Sequence, residues 1–102
     1  MTDNDDLLNN NRVGPVMRSG EVADAVVEAV EIDNPGKVIE VEDMHAYLRI
    51  STDSEMILRR ETVEDCLGRA FRMQELEVNL SSFAGKIETG TEQFRFYFST
   101  TR

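Results

Sequence analysis

The stretch VGPVMRSGEVADAVVEAVEIDNPG, residues 13–36, decides the fold. Its first six residues read as a short strand. Gly14-Pro15 within it points to an edge position or a bulge, because proline cannot donate to a ladder. Ser19 then stands where a helix N-cap belongs, ahead of a helix over about residues 20–31. Val22, Ala25, Val26, Ala29 and Val30 fall on one stripe of that helix, and Glu21, Asp24, Glu28 and Glu31 on the opposite face. The stripe reads as core and the acidic face as a solvated one. Asp33-Asn34-Pro35-Gly36 ends the helix in a turn, since Pro fixes φ and Gly tolerates positive φ.

Outward from this unit the period changes to two. Residues 37–42 and 45–51 alternate; in the second, Ala46, Leu48 and Ile50 point one way and His45, Tyr47 and Arg49 the other. The polar turn Thr52-Asp53-Ser54 leads into a strand over residues 55–60. Thr62 then begins a second helix, with Asp65 as a weak capping-box partner. Val63, Cys66, Leu67 and Ala70 mark its buried stripe, and Gly68 weakens its end. Residues 74–80 alternate again, with Leu76, Val78 and Leu80 on one face, and residues 93–99 put Phe94, Phe96 and Phe98 together. The order β-α-β-β thus occurs twice, over residues 13–51 and 55–99, as a repeat of pattern without residue identity. It predicts an α+β fold: two β-α-β-β units with antiparallel sheets and two main helices sharing one core.

Residues 1–11, MTDNDDLLNNN, read as a mobile arm, and residues 12–102 as a single domain. Apart from Leu7 and Leu8 the arm offers little to bury. It is either solvated and disordered or a segment that clamps when a partner arrives. No apolar run approaches the ~20 residues needed to cross a bilayer. The acidic, amide-rich start lacks a signal-peptide pattern, so the expected location is the cytoplasm. With 11 basic against 20 acidic residues, the formal net charge is -9. That field disfavours both nucleic acid and anionic membranes as partners. One cysteine permits no internal disulfide and no CxxC pair, in keeping with a reducing compartment.

Tests for chemistry come back nearly empty. Glu42 and His45 have Glu-x-x-His spacing, but a carboxylate diiron site needs two such copies on helices and two further carboxylates. Cys66 sits in an apolar stripe, where cysteine behaves as a small hydrophobe. Gly85-Lys86 resembles the tail of a P-loop, yet Leu80 stands where the first glycine belongs and Ile87 where Ser or Thr is required. The aromatics at Phe94, Phe96, Tyr97 and Phe98 read as core, since only Arg95 lies among them to support a base-stacking platform. No residue is assigned to catalysis, metal binding or a cofactor. What remains is the run Asn79, Leu80, Ser81, Ser82, Phe83, Ala84 and Gly85. Small side chains let another backbone approach closely, and aromatics anchor interfaces. Phe83 is either a core plug or such an anchor. Asn34, Pro35 and Gly36 form either a plain turn or a second contact.

At these residues the sequence resembles a known family. NNNRVGPVMRSG, EIDNPGK, AYLRI, RRETVEDCLGRAF, MQELEVNLSSFAGKIET and RFYF, spread over residues 9–98, are similar to the effector (coupling or regulatory) proteins of bacterial multicomponent diiron monooxygenases. The closest likeness is to the toluene monooxygenase branch. RETVEDCLGR and SSFAGKI carry it most specifically. The resemblance implies a cofactor-free effector domain, monomeric when free, that is not itself an enzyme. It implies binding to a diiron hydroxylase, on a surface for which the electron-transfer ferredoxin competes, and tuning of oxygen activation, coupling to NADH and regioselectivity. Carried over residue by residue, it places partner binding at Asn10 and Asn11, at Asn34, Pro35 and Gly36, and at Asn79, Ser81, Ser82, Phe83, Ala84 and Gly85. Two competing readings stay open: a structural subunit without effect on turnover, and a small enzyme using Cys66.

Overall fold

The computed structural model describes residues 11–98. In the first half the elements follow the sequence pattern. β1 (Arg12–Arg18) leads into α1 (Glu21–Asp33), and a hairpin of β2 (Glu40–Asp43) and β3 (Tyr47–Asp53) follows. The whole predicted stripe of α1 is buried, with Ala23 added to it. Two local expectations are overturned. Ser19 does not cap α1; Gly20 occupies the N-cap position, and no side chain bonds there. Ser19 Oγ donates instead to His45 O at 2.6 Å, and its N–H to Ala46 O at 2.9 Å, which pins the hairpin tip beside the start of the helix.

Of the two readings of Gly14-Pro15, the edge position is overturned, since the pair lies in a central strand, while irregular pairing is found. The first sheet has the order β2-β3-β1-β5. Its ladder between β1 and β3 passes from Val13↔Thr52 to Val16↔Arg49 without pairing Gly14 or Pro15. A register shift falls between Val16 and Met17 on the other side of β1. Irregular pairing is what lets a central strand hold proline. Gly14 is needed for space, because a Cβ there would lie 2.1 Å from the Ile50 carbonyl oxygen.

The second half departs from the sequence pattern by one additional helix. After β4 (Glu55–Arg59) and α2 (Arg60–Leu67) comes a further helix, α3 (Met73–Asn79), where residues 74–80 alternate like a strand. Met73 and Leu76 are its buried pair, at i and i+3, while Val78 is exposed. A short run with apolar residues at even positions fits either period, and here packing selects the helix. α2 starts two residues before Thr62, whose Oγ1 donates to Asp33 Oδ1 at 2.7 Å rather than capping a helix. Within its expected stripe Val63 is buried, Cys66 and Leu67 are half-buried, and Ala70 is exposed beyond the left-handed Gly68 that ends the helix.

β5 (Leu80–Ala84), β6 (Lys86–Glu88) and β7 (Gln93–Tyr97) complete the chain. β5 does not stay with its own unit. It pairs with β1 at the edge of the first sheet, while the second sheet has the order β4-β7-β6. The two units therefore interlock, and the chain turns from one sheet to the other at two corners. At Ser54 (φ 70) β3 hands over to β4, and at Gly85 (φ 87) β5 hands over to β6. One core lies between the sheets and α1. Val13, Met17 and Ile50 come from the first sheet, Met56, Leu58, Phe94 and Phe96 from the second. Each fully buried large side chain among them is worth roughly 1.5–3 kcal/mol over an exposed one. Phe98 does not join them; it follows the end of β7 and is exposed.

Candidate functional site

Asn79 closes α3 by donating from Nδ2 to Glu75 O at 2.9 Å, and the chain then enters β5. Ser81, Ser82, Phe83 and Ala84 are all exposed there. One side of the strand pairs with β1 through Gly14↔Ala84, Pro15↔Phe83 and Val16↔Ser82; the other side is a sheet edge. Phe83 is neither fully buried nor fully free. Its ring stands 6.2 Å from that of Phe96, tilted by 54°, yet 42% of the residue stays accessible. Gly85 has two separate reasons to be glycine. Its φ of 87° lies in the left-handed region, and a Cβ would meet Val13 Cγ1 at 2.6 Å and Tyr97 O at 2.7 Å.

Beside β5 a groove of about 940 Å³ opens on the face of the first sheet turned away from the core. Small residues (Gly14, Ser82, Ala84) and the aromatics Phe83 and Phe98 line part of it. Two ion pairs also line it. Arg12 Nη2 reaches Glu40 at 3.0 Å and also donates to Ser51 O and Oγ at 3.0 and 3.1 Å. Arg49 meets Glu42 more loosely at 3.8 Å. Both pairs are solvent-accessible and add little stability. Sequence reading missed Arg12, Arg49 and Phe98 as neighbours of the SSFAG run. The alternation of β1 and β3 places those arginines outward, but only strand order shows that they face the same groove.

The remaining expected residues divide. Asn34 is buried, and its amide is fully engaged with Val30 and Ile57, so it is part of the scaffold. Pro35 and Gly36 are exposed, and none of the three lines the groove. Asn11 is anchored rather than free: its Nδ2 donates to Ser54 Oγ at 3.1 Å and its carbonyl accepts from Ser54 N–H at 3.0 Å. Asn10, with the rest of residues 1–10, lies outside the described residues.

Among the described residues no group of three or more His, Cys, Asp or Glu is placed to hold a metal ion. His45 is exposed in the tight tip of the β2-β3 hairpin, where its backbone N–H donates to Asp43 Oδ1 at 2.8 Å. The Cys66 thiol is pushed above its usual range, first by burial and then by the nearby Glu28 carboxylate. Activated thiols need a cation or helix N-terminus beside them; this one has acids. No helix among the described residues is long and apolar enough to cross a membrane.

The described residues thus present an open, uncharged sheet edge beside a groove. The MmoB/DmpM family model matches residues 11–97, and the chain belongs to that family. It is 41% identical over 95 residues to the effector subunit of the alkene monooxygenase system of Xanthobacter autotrophicus, covering 93% of this chain and 94% of that one. It is 39% identical over 69 residues to DmpM, the stimulatory component of phenol 2-monooxygenase from a Pseudomonas species, covering 68% and 74%. A chain of a solved phenol hydroxylase–regulatory protein complex superposes with a TM-score of 0.74 at 30% identity, over 86% of this chain and 99% of that one. Regulatory protein B of soluble methane monooxygenase shares the fold, with a TM-score of 0.63 at 20% identity over 87% and 66%. The protein is thus an effector component of a multicomponent monooxygenase, a regulatory rather than a catalytic part.

Proposed function

We propose that this effector binds the diiron hydroxylase of a toluene-type aromatic monooxygenase and makes its oxygen activation productive, raising turnover, coupling to NADH and regioselectivity. The observation that carries this reading is the exposed SSFA strand beside its groove, in a chain whose relatives are effectors and whose structural neighbour comes from a hydroxylase–regulatory protein complex. The likeness of the NLSSFAGKIET segment to toluene-type effectors, together with the phenol monooxygenase relative, supports an aromatic substrate. Ser81, Ser82, Phe83, Ala84 and Gly85 form the centre of the contact, and Asn79 sets where the strand begins. Pro35 and Gly36 supply a second contact, held in place by Asn34. Asn10 and Asn11 supply a third, Asn11 acting from its fixed position on Ser54.

The mechanism is a shift in population. The effector favours the competent hydroxylase conformation only by the margin with which it binds that conformation over the resting one. Turning a 1% population into 99% takes about a 10⁴-fold preference. The ferredoxin competes for the same hydroxylase surface, so the free effector, a cytoplasmic monomer, also sets when electrons arrive. The test is aromatic hydroxylation by a reconstituted toluene-type hydroxylase, ferredoxin and reductase, titrated with this protein. A rise in rate and in product per NADH that saturates near stoichiometric addition is expected. A higher yield of assembled complex with unchanged turnover per complex would mark a structural subunit instead.

A further inference from the structure

The two sheets expose four strand edges, and three of them are closed by chemistry. β2 carries Glu40, Glu42 and Asp43 among its four residues, and charge on an edge discourages further pairing. β6 is only three residues long and two of them, Lys86 and Glu88, are charged. β4 is sealed by side chains that imitate a neighbouring strand. Asn34 accepts from Ile57 N–H and donates to Ile57 O, each at 2.8 Å, while Asp33 Oδ2 accepts from Arg59 N–H at 2.8 Å. Lys37 Nζ donates to Glu55 O at 2.6 Å. β5 is the exception. It has no charged residue in five, and among the described residues nothing bonds to the backbone of residues 81–84 apart from β1. Among the described residues every other edge is closed and this one is open, which makes it a template for one more strand.

We propose that the open side of β5 takes an extended segment of the hydroxylase as an added strand, and that this segment is flanked by Lys or Arg. The proposal rests on the hydroxylase-docking reading above and names its mode. Main-chain bonds to residues 81–84 hold the segment, and the exposed rings of Phe83 and Phe98 receive an apolar side chain from it. Charge selects the occupant. The groove's own charges are paired, so the field of the whole chain at -9 governs approach. A second copy of this chain, carrying the same -9, is repelled, whereas a basic segment is drawn in.

The experiment is residue-resolved amide hydrogen exchange on the full chain, alone and with a toluene-type hydroxylase, with binding followed separately by fluorescence anisotropy. Strand addition slows exchange on the order of tenfold or more at the outward amides within residues 81–84, in an alternating pattern, and added salt weakens the binding. Binding with unchanged exchange at these amides would overturn strand addition while leaving docking intact. No binding at all would remove the docking reading and this proposal with it. Protection that grows with protein concentration in the absence of hydroxylase would hand the edge to a second copy and overturn the proposal. Salt-independent binding would overturn the basic flank.

Discussion

Asn34 and Ile57 share a pair of 2.8 Å hydrogen bonds, the side-chain amide of one giving to and taking from the backbone of the other. The same Nδ2 also donates to Val30 O at 2.8 Å, so a single buried amide joins the last turn of α1 to the outer edge of β4. Replacing it with alanine strands backbone groups of Ile57, at about 1–3 kcal/mol. The N34A variant should therefore show a lower urea midpoint with an unchanged slope. N34D, which keeps the shape and loses both donated bonds, should lose stability too.

The glycines at the turns are not equivalent. Gly36 and Gly85 both have positive φ, but a Cβ at Gly36 meets nothing within 4 Å, whereas at Gly85 it collides with Val13 and Tyr97. Gly36→Ala should cost only the left-handed backbone penalty, roughly 1–2 kcal/mol. Gly85→Ala adds overpacking of about 1–3 kcal/mol on top. Thermal unfolding of the two variants side by side checks the order.

Phe83 and Phe96 face each other but should answer to different assays. Phe96 is fully buried, and F96A should lose about 3–5 kcal/mol. Phe83, still 42% accessible, should lose clearly less stability than that in F83A. Its loss should appear instead as weakened stimulation in the reconstituted hydroxylation assay. Bulkier residues at Ala84 should act in the same way, without unfolding the domain.

Cys66 should label slowly with a thiol reagent in the native state, and its rate should keep climbing at pH values where a free thiol has levelled off. Burial and Glu28 raise its pKa, so the native state holds the proton that the unfolded chain releases. The linked stability is present below the ordinary thiol pKa and fades as pH rises through the raised one. Fast labelling at neutral pH would reopen the nucleophile reading.

The two halves of the chain differ in how far local pattern governs them. α1 buries Val22, Ala25, Val26, Ala29 and Val30 as its spacing predicts, because a long amphipathic run leaves one solution. α3 has seven residues, too few for period to separate helix from strand, and contact of Met73 and Leu76 with the core decides it. The SSFAG run was legible as a feature of interest but not as a strand, since its partner β1 lies more than sixty residues earlier. The closing of β4 by Asp33, Asn34 and Lys37 was invisible for the same reason. DNPGK looks like a turn, and it is one, but its side chains work on a strand that local pattern does not connect to it.

The exchange of β5 into the first sheet also sets a timetable for synthesis. A nascent chain that has delivered β1, α1, β2 and β3 presents β1 with a bare flank, and the strand that covers it arrives only when residues 80–84 leave the ribosome. Until then the half-made sheet offers an edge that is meant to be interior. Folding in one late step, after nearly the whole chain is out, follows from pairing of such long sequence separation. The protein therefore gains its exposed edge strand in the same event that finishes its own sheet, and a prematurely terminated chain has neither.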